Sequence, residues 1–274
     1  MEEIEVKSLD ELVSTVRNTA EHYQFDDSYT IHSPGAILYR GQSDSRWGLR
    51  TTLSRKSSIV SFKEYLSLCG RVKPALETEF DLNFSKMTIL ELEEIFKELS
   101  WLTLMKLPWY DYLLYLRHNG FPSPILDWTQ SLYLALGFAF FKEKESASRA
   151  IYMYVEKPLS FKAGSVGEPE IYRVGQYVKT SRRHFLQQSM YTICYSQQPG
   201  DLRFESYDLI KKPQNHEQDV LIKFIIPSSE REKILKFLFS VNITPYSIMP
   251  TEETLLQTLW LKEHKLRTNS AQTG

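Results

Sequence analysis

Two spacings of apolar residues divide this chain. Behind Ser8, residues 8 to 22 carry Leu12, Val13, Val16 and Thr19 at helical intervals, so an amphipathic helix with a hydroxyl cap is expected. Ala36 to Tyr39 then reads as a strand that delivers the chain to Arg40, Gly41 and Gln42. The middle third is helical. Ser61 with Glu64 and Thr88 with Glu91 have capping-box spacing, and Pro108 suits the first position of a helix that Gly120 would stop. After a turn at Asp127, Trp128 and Thr129, residues 130 to 142 are apolar almost all round, so that helix has to lie inside.

In the last third the spacing changes. "AIYMYVE", "MYTICY" and "VLIKFIIP" are β-branched and aromatic runs of strand length, separated by Pro, Gly and Asn. Ser229 with Glu232 opens another helix, and residues 251 to 263 make a last one. The expected class is therefore α+β, a single domain with a mostly antiparallel central sheet and helices packed around it. Residues 1–30 form a helical lead-in, 31–263 the domain, and 264–274 a disordered tail poor in apolar residues.

Composition narrows the function. Of the 274 residues 42% are hydrophobic, enough for a substantial core, and 33 basic against 34 acidic residues leave no net field that would call for nucleic acid or a membrane as partner. Leu132 to Phe141 is the longest apolar run and falls short of the ~18 residues of a spanning helix. "MEEIEVKSLDEL" has no signal-peptide core, and Cys69 and Cys194 are isolated in apolar surroundings, so a cytoplasmic protein with reduced thiols is expected. The histidines lack ligand spacing, so no metal is expected.

Three stretches carry candidate chemistry. Arg40 is a fork of five donors suited to phosphate, and Gly41 beside it leaves room for a ligand at the main chain; equally, Arg40 could pair with Asp127 and pin two segments together. In "HNGFPSPILDWTQ", His118 supplies a titratable group and Trp128 a pocket wall. There Asp127 and Thr129 either hold sugar hydroxyls or cap the helix that follows. In "TSRRHFLQQSMYT", Arg182, Arg183 and His184 stand ahead of Gln187 and Gln188, either as a solvated cluster or as added charge and an amide for a base or ribose. Glu168 and Glu170 read as an acidic turn. Signatures of dinucleotide-binding folds, P-loops, zinc proteases and serine hydrolases are absent.

Together these stretches resemble the FRG family, a mostly bacterial group named for a Phe/Tyr-Arg-Gly motif, here Tyr39, Arg40 and Gly41. "YRGQSDSRWGLRTTLSR" is similar to the family's opening segment, with Trp47, Leu53 and Arg55 in register. "HNGFPSPILDWTQSLYLALGFA" resembles its His-x-Gly-x-Pro and Leu-Asp-Trp-Thr signature, and Arg183, Gln187, Tyr191 and Thr192 fall on a later Arg-x-x-x-Gln stretch. Pro124 replaces a customary arginine, Arg117 stands where Gln is common, and Ser189 replaces a Gly.

The order of these motifs is also similar to that of ADP-ribosyltransferases, in which an Arg grips the NAD diphosphate and a Glu steadies a cationic transition state. The resemblance implies Arg40, Asp127, Thr129 and Gln187 as catalytic residues, and Tyr39, Gly41, Gln42, His118, Trp128 and Arg183 as contacts to NAD or another nucleotide-type small molecule. It further implies a role in bacterial defence, with a protein or nucleic-acid target. Gln187 or Gln188 stands near the position of that Glu, and a neutral amide cannot supply its charge. A binding module without turnover is the alternative.

Overall fold

Ser8 caps the first helix as its spacing predicts: its hydroxyl accepts from the Glu11 amide, and α1 runs from Leu9–His22. The computed structural model describes residues 1–23, 36–84, 89–97, 109–156, 167–174, 182–210 and 219–266. Its further helices are α2 (Thr52–Lys56), α3 (Phe62–Phe80), α4 (Ile89–Lys97), α5 (Tyr110–His118), α6 (Leu132–Phe140), α7 (Arg182–Leu186), α8 (Arg231–Ser240), α9 (Pro245–Ile248) and α10 (Glu252–Trp260). The strands are β1 (Glu2–Glu5), β2 (Ala36–Gln42), β3 (Leu126–Thr129), β4 (Ser148–Glu156), β5 (Glu170–Val174), β6 (Ser189–Gln198), β7 (Asp201–Phe204) and β8 (Asp219–Pro227).

Among the described residues these strands form a sheet in the order β1-β8-β4-β2-β3-β6-β5, with β7 also on β6. Its pairs are antiparallel except β1 with β8. The class is α+β with helices around a mostly antiparallel sheet, as the hydrophobic pattern implies. Strand β4 shows how the faces divide. Ile151, Met153 and Val155 join α1, α6 and α8 in one core, while Ala150, Tyr152 and Tyr154 face a second core beneath Leu49 and Tyr207. On β6, Tyr191, Ile193 and Tyr195 pack against α3 and α5, on the same side of the sheet as α1 and α6.

Helix α6 lies almost directly on β2. A Cβ added to Gly41 would stand 1.9 Å from the Ala135 carbonyl oxygen, so only glycine allows this approach. Gly41 therefore makes room for a helix. The far end of α6 is closed by Arg149, which is 1% exposed and donates to the carbonyls of Ala139 at 2.6 Å, Lys142 at 3.2 Å and Lys144 at 3.4 Å. A cation there meets the carbonyls that a helix C-terminus leaves unpaired.

Several expectations are corrected. Arg40 does not end its strand, because β2 pairs with β4 through Gln42. Asp127, Trp128 and Thr129 form β3 and not a turn, since they pair residue for residue with Tyr191, Met190 and Ser189 of β6. Neither Asp127 nor Thr129 caps α6; Ser131 does, accepting from the Leu134 amide. Ser229 lies in a 3-10 turn, and α8 begins after it without a side-chain cap. Glu170 opens β5 rather than sitting on an acidic turn. Thr88, Pro108 and residues 267–274 lie outside the described residues, while residues 264–266 belong to the π turn that continues α10.

Candidate functional site

Strands β2 and β3 are neighbours that barely pair. Their register has one partner pair, Tyr39 with Thr129, and continuing it would set Gly41 opposite Asp127. Instead the Arg40 guanidinium enters the gap, and its Nη1 donates to the Asp127 carbonyl oxygen at 2.5 Å. A side chain thus takes the place of a ladder bond, and the strands part. A cavity of about 610 Å³ opens along the split, walled by residues 39 to 43 on one edge and 127 to 129 on the other.

The wall is strongly cationic. Arg40, Arg46, Arg50, Arg55, Lys142 and Arg183 line it, against the single carboxylate of Asp127. Arg40 itself is half-buried. Burial pushes its pKa down, the Asp127 charge opposes that, and the charges of Arg117 and Arg55 add to it. A guanidinium starts so high that it keeps its proton, so the burial cost remains for a ligand to relieve. Its Nε is buried without a hydrogen-bond partner.

The expected ion pair between Arg40 and Asp127 is not formed. The Asp127 carboxylate turns to Arg117 instead, with Oδ2 2.5 Å from Nη2, because the Asp127 backbone already satisfies Arg40. The Arg117–Asp127 pair is 16% and 40% exposed, which places it among pairs worth about 0–1 kcal/mol. Its second oxygen, Oδ1, is buried and unpartnered.

Of the other expected residues, Tyr39, Gly41, Gln42, Trp128, Thr129, Arg183 and Gln187 line the same cavity. Three segments far apart in sequence therefore converge. Several of the side chains are already engaged. The Thr129 hydroxyl accepts from the Ser131 amide, Trp128 donates to the Thr192 hydroxyl at 2.7 Å, and Gln187 donates to the Ile248 carbonyl at 3.2 Å. His118 does not line the cavity. It bonds the Tyr191 hydroxyl at 3.0 Å, as His184 does from the other side, and burial lowers the pKa of both imidazoles.

The family model described as FRG domain matches residues 35–148. This chain carries an FRG domain. The matched residues include both edges of the split, β2 and β3, together with α6, while Arg183 and Gln187 reach the cavity from beyond the match. No curated protein and no solved structure matches the chain, so the likeness to ADP-ribosyltransferases rests on motif order alone.

Much of the FRG domain's cavity escapes the sequence reading. Arg46, Arg50, Phe138 and Lys142 were not singled out, and Trp47 and Arg55 entered only through their register with the family. The signal was present in "SRWGLRTTLSR", where Arg46, Arg50 and Arg55 recur with a tryptophan. Arg46 is held on the wall by buried Asp44, whose Oδ1 accepts from both the amide and the Nε of Arg46 at 3.0 Å. Those hydrogen bonds hold the Asp44 carboxyl well below the usual carboxylate range. Tyr152 donates to the Trp47 carbonyl at 2.7 Å, and Lys144 Nζ sits 3.4 Å over the Trp47 ring. The loop is fixed, yet Trp47 stays 46% exposed and Phe138 38% exposed.

Among the described residues no three His, Cys, Asp or Glu side chains gather as a metal site, and no helix is long and apolar enough to cross a membrane.

Proposed function

We propose that the cleft between β2 and β3 binds a nucleotide-type small molecule by its phosphates. The observation that carries this reading is the imbalance of charge around one void: six cationic side chains against one carboxylate. Among the described residues, Arg50, Arg55, Lys142 and Arg183 have no carboxylate within ion-pair distance, so their mutual repulsion is left for an anion to offset. The volume of about 610 Å³ suits a ligand of nucleotide size. The exposed rings of Trp47 and Phe138 offer flat surfaces for a base beside the charges. In this reading Arg40 takes the phosphates from inside, and the exposed Arg50, Arg55, Lys142 and Arg183 screen them at the rim.

Calorimetry with ADP, ATP, NAD and adenosine tests it. Affinity should rise with phosphate count, fall with added salt, and drop about a hundredfold for ADP in Arg40→Met. Equal affinity for adenosine and ADP would overturn it.

A second reading, cleavage of NAD or ADP-ribosyl transfer, is favoured by one detail. Asp127 Oδ1 is a buried, unpaired carboxylate oxygen on a cavity wall, where it could steady a sugar cation as it forms. Gln187 cannot do so, being neutral and already bonded to Ile248. Release of nicotinamide from NAD by the wild type, lost in Asp127→Asn, supports turnover; binding of NAD without release leaves the cleft a binding module.

A further inference from the structure

We propose that Gln42 reads a sugar hydroxyl of the ligand, so that the cleft selects phosphorylated compounds carrying ribose over bare phosphates. The proposal rests on the reading of the cleft as a nucleotide-type site and adds which part of the ligand is recognised. Gln42 is 9% exposed and lies on the cavity wall. Its Nε2 donates to the Gly48 carbonyl at 3.4 Å, which decides which end of the amide carries the oxygen. The other end, Oε1, is buried and accepts no hydrogen bond.

A buried acceptor left unpaired is costly, and only a donor can relieve it. Ionised phosphate oxygens have no proton to give, so a phosphate that satisfies Arg40 leaves Gln42 as it was. A hydroxyl satisfies it. Gln42 stands two residues beyond Arg40 on β2, on the same face of the strand, and therefore about 7 Å further along. That is the scale of one sugar ring, so a phosphate held by Arg40 leaves its ribose hydroxyls within reach of Gln42.

The test compares ADP, 2′,3′-dideoxy-ADP and inorganic pyrophosphate on the wild type and on Gln42→Met, which keeps the side-chain length but has no amide. The wild type should bind ADP about tenfold more tightly than the dideoxy analogue. Gln42→Met should lose that tenfold for ADP and leave the dideoxy analogue and pyrophosphate unchanged. Equal wild-type affinity for ADP and dideoxy-ADP overturns the role of Gln42 while leaving the cleft a nucleotide site, and needs no variant. A Gln42→Met protein that weakens all three ligands alike likewise overturns it, marking the amide as a prop for the Gly48 loop; thermal unfolding without ligand shows whether the fold has suffered. If none of the three binds the wild type, the nucleotide reading itself falls, and this proposal with it.

Discussion

Arg149 and Arg40 are both pulled into the protein, yet their surroundings have opposite characters. Around Arg149 the molecule is closed. The arginine is 1% exposed, its terminal nitrogens donate to three carbonyls in the last turn of α6 and just beyond it, and the Phe140 ring lies 5.0 Å away. Arg231 adds bonds to the Phe140 and Phe141 carbonyls at 3.1 and 3.4 Å. Around Arg40 the molecule is open: the guanidinium makes one bond, to a main-chain oxygen, and faces a void walled by more cations, while Nε is buried without a partner in both arginines. Burial by itself does not separate a structural guanidinium from one poised for a ligand. What separates them is how many bonds the terminal nitrogens already make and whether a void lies beside them.

The difference can be probed by substitution, most severely at the closed end. Arg149→Ala should cost about 4 kcal/mol, since it leaves helix-end carbonyls unpaired and a cavity beside Phe140. Urea unfolding reads the loss, and a cost below 1 kcal/mol would abolish the contrast. Gly41→Ala lies between the two regions and should cost about 3 kcal/mol, because its methyl group meets the Ala135 carbonyl and α6 has to lift. Lifting α6 also moves Phe138 and Lys142, so whatever nucleotide binding remains should weaken.

Arg40→Met should do the reverse of Arg149→Ala. Stability should change by less than about 1 kcal/mol, one bond being lost and one burial cost relieved, while nucleotide affinity falls. A large stability loss with unchanged affinity would make the two arginines alike. The smallest effect concerns pH. His118 and His184 hold folded-state pKa values below 6.5, chiefly through burial, so the unfolded chain binds more protons just below that pH. Their contribution is fully present above pH 6.5 and is lost as the pH falls below it. Hydrogen-exchange protection, corrected for the intrinsic pH dependence of exchange, should therefore fall between pH 7 and 5 around β6 and α7 before it does around α6, and Tyr191→Phe should alter that pH dependence.

How much of this was legible differs from element to element. The caps at Ser8 and Ser61, the buried helix at 132–140 and the strands β4, β6 and β8 follow from local pattern, because each is a sufficiently long periodic run with a chemical stop or start. Strands β1, β5 and β7 were not anticipated. Each is four or five residues long, and β1 reads Glu-Glu-Ile-Glu, whose strand character comes from pairing with β8. Asp127 to Thr129 looked like a turn because proline and a helix flank it, and β6 makes it a strand. At the site, the convergence of Arg40, Asp127 to Thr129 and Arg183 to Gln187 was anticipated, but the partner of Asp127, the placement of His118 and the arginines of the Trp47 loop were not.

The sequence by itself determined that this chain folds as helices on a largely antiparallel sheet and that Tyr39, Arg40 and Gly41 announce an FRG domain, because periodicity and motif are local properties. Tertiary structure decided what the motif does. Glycine makes way for α6, arginine parts β2 from β3, and six cations from distant segments face one void, since both charge repulsion and hydrogen-bond vacancy depend on distances that only the folded chain sets.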